Sequence, residues 1–116
     1  MVIHLDVKDA GGQVSPNPNY IAGRAFEYER MAHYKSLGYE VMRTAGSHGL
    51  FDIIAISPLG SVEFIQCKRV STKAEAELLI KKFKENPPIE IKYTTQFHQV
   101  LEVKIKGSTK VISTIL

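Results

Sequence analysis

Cysteine is almost missing from this 116-residue chain, which has one, Cys67. A single thiol excludes a disulfide framework and a cysteine-based zinc site. Cys67 falls in an apolar run that reads as a buried strand, so the expectation is a packed thiol in a protein of the reducing cytoplasm. No charged segment followed by an apolar stretch opens the chain, and no apolar run approaches the ~20 residues of a membrane helix, so neither export nor membrane insertion is expected. Internal repeats and low-complexity segments are lacking as well. A chain of this length has room for one domain with a modest core of one sheet and two or three helices. Any further binding surface has to come from self-association.

Net charge is +3, and its distribution says more than its size. Residues 1–67 hold five Lys or Arg against seven Asp or Glu, giving −2, whereas residues 68–116 hold ten against five, giving +5. The basic half begins at Lys68. A basic surface beside carboxylates suits an enzyme that holds a polyanion and places a divalent metal on it. An ordinary soluble surface has the same lysine content, so charge alone does not decide.

Hydropathy patterning predicts the elements. Val2-Ile3-His4-Leu5-Asp6-Val7 alternates like a short edge strand, and the glycines and prolines that follow make residues 9–19 a loop. A helix is expected from Tyr20 or Ile21 to Leu37, with Phe26, Met31, Tyr34 and Leu37 as its apolar stripe, Glu27 flanking it and Gly38 ending it. Strands are expected at Tyr39 to Thr44, Phe51 to Ser57 and Val62 to Arg69, with a small-residue loop from Ala45 to Leu50 and a turn at Ser57-Pro58-Leu59-Gly60. Thr72 followed by Glu75 is a capping box for a second helix. Its stripe is Leu78, Leu79 and Phe83, its stop the prolines at 87 and 88. From Val100 to Ile115 the alternation around Gly107-Ser108 reads as a hairpin with one wet face.

One constellation within this frame carries chemistry. Asp52 heads an apolar strand, Gln66 and Lys68 lie two apart on the next, and Glu27 lies upstream in the helix. Phosphodiester cleavage needs an activated water, neutralisation of the pentavalent phosphate and help for the leaving oxygen, most of which Mg²⁺ supplies, with Mn²⁺ as a substitute. Magnesium takes hard oxygen ligands and keeps several waters. Glu27, Asp52, the Gln66 amide oxygen and a main-chain carbonyl, that of Cys67, make a suitable open set. Period-two alternation points Gln66 and Lys68 from one sheet face, where the Lys68 ammonium can orient the attacking water and stabilise the developing charge. Arg43 and Ser47 precede Asp52 in a segment short enough to hold them near a phosphate. His48, in the same loop, is assigned no catalytic role. Lys81, Lys82 and Lys84 fall outside the second helix's stripe and are candidate DNA contacts.

Gly23-Arg24-Ala25-Phe26-Glu27, Leu37 to Arg43, Ala45-Gly46-Ser47 and Phe51 to Ala55 resemble the archaeal Holliday-junction resolvases of the PD-(D/E)xK nuclease superfamily, over roughly residues 20 to 70. The resemblance implies that Glu27, Asp52 and residue 66 are metal ligands, Lys68 the catalytic lysine and Ser47 the active-site serine. It also implies a mixed sheet flanked by helices and a homodimer with two sites. Where the resolvases usually have Glu, this chain has Gln66. There it is more similar to the Mrr-type restriction nucleases, which have a Gln-Cys-Lys-Arg-like strand, and its first 20 residues lack a basic arm.

The expectation is therefore a single α/β domain with a restriction-endonuclease-like mixed central sheet flanked by helices. Residues 1–19 form a strand and loop arm, 20–70 the catalytic core, and 71–116 a helix plus the C-terminal hairpin. The expected function is that of a Mg²⁺-dependent, structure-specific DNA endonuclease, a homodimeric Holliday-junction resolvase acting on branched DNA in the cytoplasm. Two rivals stay open: a same-fold endonuclease on another DNA, such as a restriction target, a flap or a nicked duplex, and a remnant that binds DNA without cutting it.

Overall fold

Helix α1 (Pro18–Ser36) opens with a proline, whose fixed φ suits the first helical turn and whose missing N–H costs nothing there. It therefore begins two residues earlier than the apolar pattern alone suggests, taking in Pro18 and Asn19 from the expected loop. Gly38 ends it at φ +88°, with its N–H bonded to the Lys35 carbonyl at 3.0 Å and the Tyr39 N–H to the Tyr34 carbonyl at 3.1 Å. Phe26, Met31 and Tyr34 are buried as the spacing requires. Leu37, which follows the last helical turn, is 54% exposed and not part of the stripe.

The structure, a computed structural model, describes residues 18–44, 50–89 and 97–116. The expected Val2–Val7 strand, most of the arm, and the loop holding Ser47 and His48 lie outside them. Among the described residues the chain is one α/β domain with a five-stranded mixed sheet and two helices. Strands β1 (Glu40–Arg43), β2 (Ile53–Ile56) and β3 (Val62–Val70) form an antiparallel meander. Helix α2 (Lys73–Glu85) then crosses over to β4 (Phe97–Ile105), which pairs parallel to β3, and β5 (Val111–Ile115) returns antiparallel on the far edge. The β2–β3 turn closes at Gly60, φ +92°, whose N–H reaches the Ser57 carbonyl at 2.9 Å.

The helices cover opposite faces. On one, Met31 and Tyr34 of α1 pack on Ile53, Ala55, Ile65 and Val100, with Cys67 joining at the rim. On the other, Ala76, Leu79, Ile80 and Phe83 of α2 pack on Leu101, Val103, Ile105 and Ile112. Thr72 caps α2 as expected: its hydroxyl accepts from the Glu75 N–H at 3.1 Å. The α2 stripe is shifted by comparison with the sequence reading. Ala76 anchors it, so residues three, four and seven further on face the sheet, and Leu78 is left 68% exposed.

The C-terminal hairpin is present, but β4 has no wet face. As an interior strand it carries Leu101 and Val103, fully buried against α2, and Glu102, fully buried against α1. Leu101 and Val103 are thus core, whereas Ile115 on β5 is exposed. No helix among the described residues is long and apolar enough to cross a membrane.

Candidate active site

Asp52 stands one residue before β2, at the point where the β2–β3 ladder ends. Its N–H donates to the Ile65 carbonyl at 2.8 Å, and its own carbonyl accepts from the Thr44 N–H at 3.0 Å and the Thr44 hydroxyl at 3.3 Å. The carboxylate then takes up where the ladder stops: the Cys67 N–H donates to Asp52 Oδ2 at 2.8 Å. Four bonds thus hold the acid at the C-terminal half of β3. Thr44, which supplies two of them, was not singled out by the sequence, because its role depends on β1 ending beside residue 52.

Glu27 comes to the same place from α1. Its neighbour Phe26 is 2% exposed and anchors that turn on the sheet, which leaves Glu27 at the rim with 19% of its side chain exposed. Arg43, the last residue of β1, donates from Nε to Glu27 Oε1 at 2.9 Å, and its guanidinium lies 5.2 Å from the centre of the Tyr28 ring. Burial pushes the Glu27 carboxyl above the usual range and the nearby Asp52 charge pushes it further, with Arg43 and Arg24 pulling the other way. Asp52 is raised too, by burial, against the opposing effects of the Cys67 N–H, Lys68 and Arg43. Two half-buried acids therefore lie within electrostatic reach of each other, both raised chiefly by burial and both opposed by Arg43, with Arg24 acting on Glu27 and Lys68 on Asp52.

A cleft of about 430 Å³ opens at this point, lined by Glu27, Cys67 and Lys68, and further by Asn19, Gly23, Phe26, Arg69, Val70, Ser71 and Lys106. Lys68 is exposed although β3 is the middle strand, because it leaves the strand near its end. Gln66 is not on the cleft wall. Ile65 and Cys67 pack towards α1, so alternation sends Gln66 and Lys68 out on the opposite face, and only the longer Lys68 at the strand's end reaches the cleft. Burial also drives the Cys67 thiol far above its usual range, as expected for a packed, unreactive sulfur. Lys81, Lys82 and Lys84 are exposed on α2, across the sheet from α1.

Glu27, Asp52, Lys68, Arg43 and the Cys67 main chain are therefore brought together, while Gln66 is adjacent and the α2 lysines are remote. Arg69, Lys106, Gly23 and Asn19 also line the cleft and were missed. Nothing local marks Lys106, which is joined to this end of β3 by its N–H donating to the Val70 carbonyl at 2.7 Å.

Glu27 on the cleft wall and Asp52 beside it, off the wall but bonded to the Cys67 N–H, offer the hard carboxylate oxygens that a divalent cation of the magnesium type takes. Among the described residues no three His, Cys, Asp or Glu side chains converge, so a metal here would be held by Glu27 and Asp52, with neutral oxygens such as the Cys67 carbonyl completing the set. Comparison with protein-family models, curated proteins and solved structures returned no match. Fold and site together define an α/β domain with an acid and lysine cleft at the end of its central strand.

Proposed function

We propose that the protein is a metal-dependent DNA endonuclease with a restriction-endonuclease-like fold, acting as a homodimeric Holliday-junction resolvase on branched DNA in the cytoplasm. The observation that carries this reading is the meeting of Glu27 and Asp52, distant in sequence, beside Lys68 at the end of β3. The mixed sheet with a helix on each face supports it. So does the basic second half of the chain, which supplies Lys68, Arg69 and Lys106 to the same cleft.

A bound Mg²⁺ would supply Lewis-acid polarisation of the phosphate and an acidified water. The protein's own part follows from its side chains. Asp52 and Glu27 would hold the cation, and the Cys67 N–H fixes the orientation of Asp52. The Lys68 ammonium hydrogen-bonds the attacking water and offsets charge that develops on the phosphorane oxygens. Arg43 keeps the two acids from repelling each other when no cation is bound. A twofold dimer would present two such clefts to the two strands of a symmetric junction.

The test is a cleavage assay with Mg²⁺, Mn²⁺ or EDTA on a four-way junction, a flap, a linear duplex and a single strand. Metal-dependent paired nicks across the branch point are expected, abolished by Asp52→Asn and by Lys68→Ala in proteins that still melt cooperatively. Near wild-type cutting by either variant would remove the site assignment. A monomer that cuts flap or duplex as readily as junctions would leave a general nuclease.

A further inference from the structure

The cleft extends beyond Glu27 and Lys68. Its far part lies between Asn19 and Gly23 on α1 and Arg69, Ser71 and Lys106 at the ends of β3 and β4. We infer that this extension is a second phosphate subsite, in which Arg69 and Lys106 hold the phosphate next to the scissile one while the strand's backbone passes over Gly23. The inference rests on the nuclease reading for the position of the scissile phosphate.

Three observations carry it. First, the cations are placed and available. Lys68, Arg69 and Lys106 line one cleft, and neither Arg69 nor Lys106 is in an ion pair among the described residues. Their spacing is set by main chain, since Val70 pairs with Ile105 and its carbonyl accepts from the Lys106 N–H. Arg69 and Lys106 thus stand on adjacent strand ends at one cleft, whereas Lys81, Lys82 and Lys84 lie on a solvated helix face. Second, α1 carries a glycine where packing does not ask for one. A Cβ on Gly23 would meet nothing within 4 Å, so alanine fits the folded chain and would make the better helix. What the missing methyl leaves open is the cleft wall, as expected where a ligand's backbone approaches closely. Third, the remaining groups of this part, the Asn19 amide and the Ser71 hydroxyl, are neutral donors suited to phosphate oxygens.

The subsite also says which basic residues follow the DNA. A strand leaving the acids over Gly23 runs along the α1 side of the sheet, away from Lys81, Lys82 and Lys84 on α2.

Fluorescence anisotropy with labelled four-way junction, duplex and single strand, in EDTA across a salt series, tests this without cleavage. Arg69→Gln and Lys106→Gln should each reduce the slope of log K against log salt by about 0.9 on duplex and about 0.7 on single strand, which is about an eightfold loss of duplex affinity at 0.1 M salt. Gly23→Ala should melt higher than wild type and bind more weakly, an opposition that a structural role would not produce. The triple Lys81, Lys82, Lys84→Gln variant should change the slope less than Lys106→Gln alone. Lys106 is exposed, so its variant is expected to fold, and melting curves check the others. Unchanged affinity and slope in folded Lys106→Gln, or wild-type binding by Gly23→Ala, would overturn the subsite. A wild-type protein that binds with these slopes but never cuts would overturn the nuclease reading alone, and one with no affinity for any of the three nucleic acids would overturn both.

Discussion

Arg30→Met should be among the most damaging single changes to this fold, and a second substitution should reverse it. Glu102 is fully buried in β4, where Arg30 Nε donates to Oε1 at 2.7 Å and the Tyr34 hydroxyl donates to the same oxygen at 3.4 Å. Oε2 has no hydrogen-bond partner. Burial, followed by the charges of Glu102 and Glu63, raises the Tyr34 hydroxyl well above its usual range, so it stays protonated and remains a donor. Take Arg30 away and a carboxylate with one weak bond is left in a sealed core. Breaking a buried ion pair from one side costs about 3–5 kcal/mol. At roughly 4 °C per kcal/mol for a chain of this size, the melting temperature falls by about 12–20 °C. Arg30→Met with Glu102→Leu removes both charges and keeps the volume, and such swaps are neutral or stabilising by about 1–4 kcal/mol. The double variant should therefore match or exceed wild type. Urea titrations of the four proteins at pH 7, with unchanged m-values, measure the coupling directly. If Arg30→Met loses less than about 1 kcal/mol, or the two changes simply add, the pair is not holding Glu102 as described.

Asp52→Asn should raise the melting temperature at pH 7.5 while ending cleavage. The Asp52 carboxyl is raised in the folded state, so the stability it contributes is complete below its unfolded value of about 3.9 and is lost as pH rises through the folded value. Asparagine escapes that loss, and its advantage should vanish as pH is lowered toward about 4; a variant that melts lower than wild type at pH 7.5 contradicts the electrostatics. Mg²⁺ should raise the melting temperature of wild type and not that of Asp52→Asn. Gln66→Glu should leave Mn²⁺ affinity unchanged in calorimetry, in keeping with its place off the cleft wall, and tighter binding would put residue 66 in the ligand set.

Much of the frame was legible because local chemistry and packing agree. Phe26, Met31 and Tyr34 recur at helical spacing and Gly38 supplies the left-handed stop, so α1 needed no tertiary information. Thr72 and Glu75 announce α2 in the same way. The misreadings occur where the partner decides. Leu78 and Ile80 are equally apolar, and only the direction from which α2 meets Leu101 and Val103 selects Ile80. Glu102 and Lys104 alternate with apolar neighbours, which ordinarily means water on one face. Here that face meets α1, whose Arg30 takes Glu102 and whose Glu29 takes Lys104 at 2.9 Å. Alternation reports polarity; it does not report whether the polar face meets water or another polar side chain.

The same comparison sets a structural acid against the two proposed as functional. Glu102 lies sealed in the core with an arginine of its own, bonded through Oε1, and its removal together with that arginine is expected to cost nothing. Glu27 lines a cleft and Asp52 stands beside it, and both are pushed toward protonation by burial against the opposing charges of Arg43, Arg24 and Lys68. A fold selected for stability alone would replace either with a neutral residue and would put alanine at position 23. Local rules are broken together here, by the helical glycine, the two crowded carboxylates and the lysine emerging from the middle strand, and all four residues face or adjoin one cleft. Sites that break local rules in concert are where a fold gives up stability for a ligand. On the proposed reading a cation would sit between the acids, and an anion between Lys68, Arg69 and Lys106.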